Sequence, residues 1–165
     1  MKIQVYKADI RGHDMRVLYV GFKGKGNSSN KLVSSLVGDK LFLTNSYTGL
    51  KKDIDRIEDT YDLVYMFGLD KSLKGNIRID TSAEKDGVRL YSDIDTNAVI
   101  SEFHKKGIQA ETGYTPTRYL CNEAYWYMLK KYDSRVLFFH VPSIKYITKE
   151  FIEKIKSALS IIVCL

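Results

Sequence analysis

The chain has 165 residues, of which 44% are hydrophobic and 28% are charged, a composition typical of one domain with an ordinary core. Its net charge of +6 comes from basic residues scattered among acidic ones, so no nucleic-acid-binding stripe is predicted. No apolar run approaches the roughly 20 residues that span a bilayer, and the first residues lack the apolar stretch of a signal peptide. Two cysteines do not make a disulfide framework. The sequence therefore predicts a single cytoplasmic globular domain over residues 1–165.

Strand-like and helix-like periodicities alternate along the chain. In chain order, the predicted elements are strand 2–10, strand 15–21, helix 29–36, strand 40–44, helix 50–61, strand 62–68, strand 76–80, strand 87–91, helix 94–107, strand 108–112, helix 121–132, strand 135–141 and a helix from 148 onward. Helix 94–107 is expected to bury Ala98, Val99 and Phe103. The last helix is expected to bury a stripe formed by Phe151, Ile155, Leu159 and Ile162.

This alternation predicts an α/β fold, a three-layer sandwich with a largely parallel central sheet. In such folds the site forms at the carboxyl ends of the strands. The glycine-rich turn at 21–29 follows the first buried strand, but Asn27 stands where a phosphate-binding loop needs its lysine. The sequence therefore favours a structural turn there over a nucleotide site.

Cys121 and His140 are the candidates for nucleophilic chemistry. Cys121 stands at the start of helix 121–132, where unpaired N–H groups and the helix dipole favour a thiolate and can hold an oxyanion. His140 ends the apolar strand 135–141 and could accept the thiol proton. The spacing leaves it equally open that Cys121 is an ordinary buried small residue.

The other titratable candidates are less specific. A carboxylate that orients the histidine could come from Asp80, at the end of strand 76–80, or from Glu84 four residues on. His13 and His104 are expected to be solvated, and Cys164 to be structural within the apolar C-terminal tail. No metal-ligand or cofactor motif is found.

The segment YLCNEAYWYMLKKYDSRVLFFHVP, residues 119–142, resembles the pyroglutamyl peptidase I (pyrrolidone-carboxylate peptidase) family of cysteine peptidases. That family carries a Cys-Asn pair that opens a helix, followed by a strand ending in His-Val-Pro. The resemblance extends more weakly from about residue 15 onward, through RVLYVGF, YDLVYMFGL and FHKKGIQAETG. It implies a three-layer α/β/α sandwich with a mostly parallel, twisted central sheet. Residues 1–14, expected to form an extra strand or hairpin, have no counterpart in it.

By this resemblance Cys121 matches the nucleophile and His140 the general base. The family's catalytic glutamate lies in an Ile-Ser-Ile-Glu run, which aligns with residues 77–80, so Asp80 stands in its place; Glu84 is the alternative. An aspartate is one methylene shorter, so its hydrogen bond to the imidazole would lengthen unless the backbone adjusts. No metal or cofactor is implied.

The resemblance also implies a substrate pocket that includes Phe22 and Leu120. Lys25 replaces a phenylalanine of the family's first turn, and a lysine in the pocket would favour an anionic or more polar group. The chain is shorter than typical members between Asp80 and helix 94–107. Members commonly form oligomers, so a homo-oligomer is expected.

The expected function is therefore hydrolysis of the amide bond after an N-terminal pyroglutamyl or related small acyl group, through a thioester on Cys121. A peptide or small amide is the expected substrate. The departures at Lys25, Asp80 and the shortened segment keep an alternative open, a catalytically inactive relative that acts as a binding or assembly module.

Overall fold

Six strands form the central sheet of the computed structural model, which describes residues 15–162. They are β1 Val17–Phe22, β2 Asp39–Leu43, β3 Leu63–Leu69, β4 Ile77–Asp80, β7 Ala110–Gly113 and β8 Val136–Val141. Their spatial order is β2-β1-β3-β8-β4-β7. All neighbouring pairs are parallel except β4 and β8, which run antiparallel. The predicted strand 2–10 and the hairpin expected within 1–14 lie outside the described residues.

Helices cover both faces of the sheet. They are α1 Ser28–Ser35, α2 Tyr47–Asp55, α3 Thr96–Lys105, α4 Leu120–Lys131 and α5 Lys149–Ile162, with a short 3₁₀ turn at Ile144–Tyr146. One buried apolar cluster joins α1, α3 and α5 to the sheet, and a second joins α2 and α4 to the opposite face. The three-layer α/β/α sandwich with a mostly parallel sheet is thus confirmed.

A separate two-stranded hairpin lies against α4. Its strands are β5 Ser82–Lys85 and β6 Val88–Tyr91, and they pair antiparallel. The sequence predicts a strand at 87–91 but not β5. Asp86 and Gly87 between them both have positive φ, 50° and 75°, the conformation that a two-residue hairpin turn requires and that an Asp-Gly pair adopts readily. The Asp86-Gly87 pair is the sequence signal that would have predicted the hairpin and its first strand, β5.

Two helix predictions need correction. Helix α2 begins at Tyr47 rather than at residue 50, because Ser46 caps it by accepting a hydrogen bond from the Gly49 N–H at 3.1 Å. It ends at Asp55 rather than at residue 61. In α3, Val99 and Phe103 are buried as predicted, but Ala98 is exposed. Glu102 is buried in its place, paired with Lys105 at 2.7 Å. The predicted stripe of α5 is buried throughout.

A glycine in β3 makes room for the start of α4. A Cβ added at Gly68 would lie 2.7 Å from Sγ of Cys121 and 2.7 Å from Cζ of Phe138. Phe138 is fully buried, so its ring has little space to move away. Gly68 therefore lets Cys121 sit directly against the backbone of the central sheet.

We expect Gly68→Ala to lower the free energy of unfolding by about 1–3 kcal/mol, because the added methyl group overpacks this contact. Urea unfolding measures the difference. Gly26→Ala is the matched control, since a Cβ there meets nothing within 4 Å. Equal stability of the two variants would contradict this account of the packing.

Candidate active site

Cys121 is the second residue of α4 and is partly buried. Tyr119, the N-cap residue, makes no hydrogen bond to the helix through its side chain. Tyr125, one turn after Cys121, donates a hydrogen bond from its hydroxyl to the backbone oxygen of Asp80 at 2.9 Å. This bond ties α4 to the end of β4, while the thiol lies against Gly68, near the carboxyl ends of β3 and β8.

His140 is the penultimate residue of β8 and is 3% exposed. It lies in register with Gly68 on the parallel neighbour β3 and with Arg78 on the antiparallel neighbour β4. Its ring packs against Phe138, with ring centroids 4.8 Å apart. These contacts hold the imidazole in one place, next to the glycine against which Cys121 sits.

Asp80 lies within hydrogen-bond distance of His140. Its Oδ2 is 2.7 Å from His140 Nε2, and both side chains are buried. Gly113, opposite Asp80 on β7, provides the space, since a Cβ there would collide with Asp80 Oδ1. His140 Nδ1 is buried and has no hydrogen-bond partner among the described residues. When Nε2 carries the proton and donates to Asp80, the lone pair of Nδ1 remains available to accept a proton.

Arg78 and Asp70 extend this charged group. Arg78 Nε donates to Asp80 Oδ1 at 3.2 Å and Arg78 Nη1 donates to Asp70 Oδ2 at 2.7 Å. Burial alone would raise the pKa of Asp70, but hydrogen bonds from the Ser72 hydroxyl and amide and from Arg78 lower it to about 2. Asp70 is therefore ionised at neutral pH, and its carboxylate binds the guanidinium of Arg78.

The pKa of Cys121 departs from the sequence expectation. Burial, followed by the negative charges of Asp80 and Asp70, raises the pKa of the thiol to about 12. Arg78 and the backbone N–H of Cys121 itself oppose this rise but do not overcome it. The helix terminus was expected to favour the thiolate; desolvation outweighs it, and the resting group is a neutral thiol.

Two cavities meet at Cys121. The first, about 240 Å³, is lined by Phe22, Asn27, Asn45, Tyr47, Leu69, Tyr119, Leu120 and Cys121. The second, about 510 Å³, is lined by Leu69, Asp70, Lys71, Arg78, Thr117, Tyr119, Cys121 and His140. The first is largely aromatic and aliphatic with two amide side chains. The second is lined by charged side chains and by Thr117, whose Oγ1 is buried without a hydrogen-bond partner among the described residues.

The structure thus brings Cys121, His140 and Asp80 together and places Phe22 and Leu120 in the first cavity. Lys25 is exposed and is not among the residues that line either cavity. Glu84 lies on the β5–β6 hairpin, where its carboxylate pairs with Arg89 at 3.0 Å. Asn122 holds its backbone, with hydrogen bonds of 2.9 and 2.7 Å to the Glu84 N–H and carbonyl.

Several site residues were missed by the sequence analysis. They are Asn45, Tyr47, Asp70, Arg78 and Tyr119. Asn45 lies two residues after the end of β2 and Asp70 lies one residue after the end of β3, so the rule that sites form at the carboxyl ends of strands could have found them. No comparable signal marks Arg78, because it lies within a strand.

Two features are absent from residues 15–162 of the structure. No helix in that range is both long and apolar enough to cross a membrane. The same residues contain no group of three or more His, Cys, Asp or Glu side chains arranged to hold a metal ion.

Comparison with known proteins gives matches among solved structures. No protein-family model matches the sequence, and no curated protein matches it. The pyrrolidone carboxyl peptidase from Thermococcus litoralis superimposes with a TM-score of 0.73 at 18% identity, over 89% of this chain and 92% of that one. The pyroglutamyl peptidase I from Bacillus amyloliquefaciens superimposes with a TM-score of 0.72 at 18% identity, over 92% of this chain and 94% of that one. The fold is that of the pyrrolidone carboxyl peptidases.

A third structure extends this likeness. The pyrrolidone carboxyl peptidase from Thermus thermophilus superimposes with a TM-score of 0.70 at 15% identity, covering 88% of this chain and 98% of that one. The pyrrolidone carboxyl peptidase fold therefore accounts for nearly the whole described chain. The family resemblance noted in residues 119–142 is confirmed at the level of the fold.

The raised pKa of Cys121 predicts slow alkylation at neutral pH. We expect the iodoacetamide reaction rate to keep rising above pH 8.5, roughly where a free thiol is half ionised, because the thiol is still mostly protonated there. Peptide mapping after timed labelling measures the rate at Cys121 separately from Cys164. The same protein unfolded in urea is the control and should show an ordinary midpoint. A midpoint below that of the unfolded control would contradict this prediction.

The lowered pKa of Asp70 predicts a pH-dependent contribution to stability. An unfolded aspartate titrates near 3.9, so the stabilisation is fully present above about pH 4 and lost as the pH falls through about 2. We expect Asp70→Asn to lower the free energy of unfolding at neutral pH by about 2 kcal/mol, and the difference to shrink in acid. Urea unfolding over a pH series measures it.

The control for this series is Asp93→Asn, which changes an exposed carboxylate. Asp93→Asn should change the free energy of unfolding little at any pH. A loss of stability in Asp70→Asn that is the same at neutral and acid pH would show that the charge of Asp70 is not responsible.

Proposed function

We propose that this chain is a cysteine-type hydrolase that cleaves the amide bond following an N-terminal pyroglutamyl group. The observation that carries the proposal is the buried pair formed by Asp80 and His140, whose Oδ2 and Nε2 atoms lie 2.7 Å apart, with His140 lining the same cavity as Cys121. A nucleophile beside a base that is oriented by a carboxylate is the arrangement that covalent catalysis uses. The fold shared with peptidases of this class supports the assignment.

In the proposed reaction, His140 Nδ1 takes the proton of Cys121 as Sγ forms a bond to the substrate carbonyl carbon. Since the resting thiol is neutral, this proton transfer accompanies the attack and no preformed thiolate is needed. The protonated imidazole is stabilised by Asp80, and it then donates the proton to the nitrogen of the leaving amine as the C–N bond breaks. A thioester on Cys121 remains.

Water completes the cycle. His140 takes a proton from the water as its oxygen attacks the thioester carbonyl, and returns the proton to Cys121 Sγ as the C–S bond breaks and the acid is released. The second cavity can hold this water, because two of its lining residues, His140 and Thr117, each carry a buried polar atom with no hydrogen-bond partner within residues 15–162. The negative oxygen formed in each step would be held by backbone N–H groups at the start of α4.

The first cavity suits a small cyclic amide. Phe22, Tyr47 and Leu120 supply apolar walls, while Asn27 and Asn45 supply side-chain amides that can hydrogen bond the N–H and C=O of a lactam ring. Lys25 is not among its lining residues, which removes the argument for an anionic acyl group. A neutral pyroglutamyl ring is therefore the favoured occupant, and the leaving peptide would lie in the second, charged cavity.

We expect Cys121→Ala and His140→Ala each to abolish hydrolysis of a fluorogenic pyroglutamyl amide, and Asp80→Asn to lower kcat on the order of a hundredfold or more. Release of the fluorescent amine measures the rate. Cys164→Ala is the matched control for loss of a cysteine and should leave the rate unchanged. Covalent labelling of Cys121 by a pyroglutamyl aldehyde, lost in Cys121→Ala, would show that the thiol itself reacts.

A second candidate function is supported by the raised pKa of Cys121, because buried cysteines without an activating partner are inert. On this alternative the chain is a non-catalytic binding or assembly module. No hydrolysis of pyroglutamyl amides and no labelling by the aldehyde would favour the module and overturn the peptidase proposal.

We also propose that the protein acts in the cytoplasm on peptides or small amides and forms a homo-oligomer. These proposals are supported by the sequence and by the family resemblance. Analytical ultracentrifugation tests the assembly, and a sedimentation coefficient of a 19.0 kDa monomer would overturn it.

A further inference from the structure

Arg78 lines the site, but neither the proposed reaction nor the sequence motifs give it a role. It lies two residues before Asp80 on β4, so both side chains emerge on the same face of the strand. Its register partner on β8 is His140. The strand pairing itself therefore places a guanidinium, a carboxylate and an imidazole in one group on one face of the sheet.

The guanidinium group of Arg78 donates one hydrogen bond to each of two carboxylates. Nε binds Asp80 Oδ1 at 3.2 Å and Nη1 binds Asp70 Oδ2 at 2.7 Å. The other oxygen of Asp80 accepts from His140. The other oxygen of Asp70 accepts from the Ser72 N–H at 2.8 Å and the Ser72 hydroxyl at 2.6 Å. Each oxygen of both carboxylates thus has a donor.

The contacts of Arg78 offset the energetic cost of burying the Asp80 carboxylate. Its side chain is 5% exposed, and a buried carboxylate with an uncharged imidazole as its one partner would be costly. An aspartate is also short, so a rotation that satisfied Oδ1 elsewhere would withdraw Oδ2 from His140. Arg78 supplies both the opposite charge and the partner for Oδ1.

We propose that Arg78 is a positioning residue: anchored by Asp70, it holds the Asp80 carboxylate in the orientation that accepts the Nε2–H of His140. The proposal rests on the peptidase function proposed above, because it assigns Arg78 a role in the same reaction. Arg78 acts through Asp80 and not on the substrate. A lysine cannot replace it, since its single ammonium group lacks the planar fork that reaches both carboxylates.

The test uses Arg78→Met, which keeps the length of the side chain and removes the charge and the donors. We expect kcat for the pyroglutamyl amide to fall on the order of a hundredfold, as for a displaced catalytic group, with little change in KM. Arg78→Lys should recover only part of this loss. Arg89→Met is the matched control, because Arg89 pairs with Glu84 on the surface hairpin, and it should leave kcat unchanged.

A double-mutant cycle separates positioning from a structural role. If Arg78 acts through Asp80, the double variant Arg78→Met/Asp80→Asn should be no slower than Asp80→Asn alone. Losses that multiply in the double variant, a wild-type kcat in Arg78→Met, or a change confined to KM would each overturn the proposal.

The tautomer of His140 gives a readout that does not depend on activity. In ¹⁵N NMR spectra we expect the protein to show a single tautomer protonated at Nε2, and Arg78→Met to show a mixture. If the protein fails to hydrolyse pyroglutamyl amides, this spectrum still tests Arg78. If Arg78→Met does not fold, the spectrum of Arg78→Lys is used instead. An unchanged single tautomer in the folded variant would overturn the proposal.

Discussion

The antiparallel pairing of β4 with β8 is the constraint on which the rest of the site depends. In an otherwise parallel sheet it places Arg78 opposite His140, near the carboxyl end of β8, and directs Asp80, two residues later, back along β8 to lie opposite Phe138. A parallel β4 would carry Asp80 in the opposite direction along His140's strand. The hydrogen bond between Asp80 and His140 therefore follows from strand direction, and the bond from Tyr125 to the Asp80 carbonyl adds the helix that carries Cys121.

Carboxylates outnumber guanidinium groups in the site. Two carboxylates, Asp70 and Asp80, share one guanidinium, and Asp80 also faces the imidazole. The remaining negative potential, together with burial, keeps the thiol of Cys121 protonated. In the proposed mechanism, the thiol is neutral at rest and becomes reactive only when His140 removes its proton.

The β5–β6 hairpin shows how a short connection supports the same helix. Asn122 binds both backbone groups of Glu84, Lys85 pairs with Glu123 at 2.7 Å, and Trp126 donates to the Val88 carbonyl at 3.1 Å. Three residues of the first two turns of α4 are thus fixed from one side by the hairpin, while Cys121 faces the sheet on the other. The hairpin therefore braces the helix that carries Cys121.

The sequence by itself determined the kinds and order of the elements in the described range, apart from β5, and the placement of Cys121 at a helix start and His140 at a strand end. Those features are local, since periodicity, glycines and caps report burial along a few neighbouring residues. Only the tertiary structure decided that β4 runs antiparallel, that Arg78 enters the site, that Glu84 and Lys25 stay outside it, and that the pKa of Cys121 rises. Strand pairing brings together side chains that are 60 positions apart in the sequence, such as those of Asp80 and His140, and desolvation depends on every neighbour in space. Neither strand pairing nor desolvation can therefore be predicted from a local sequence pattern.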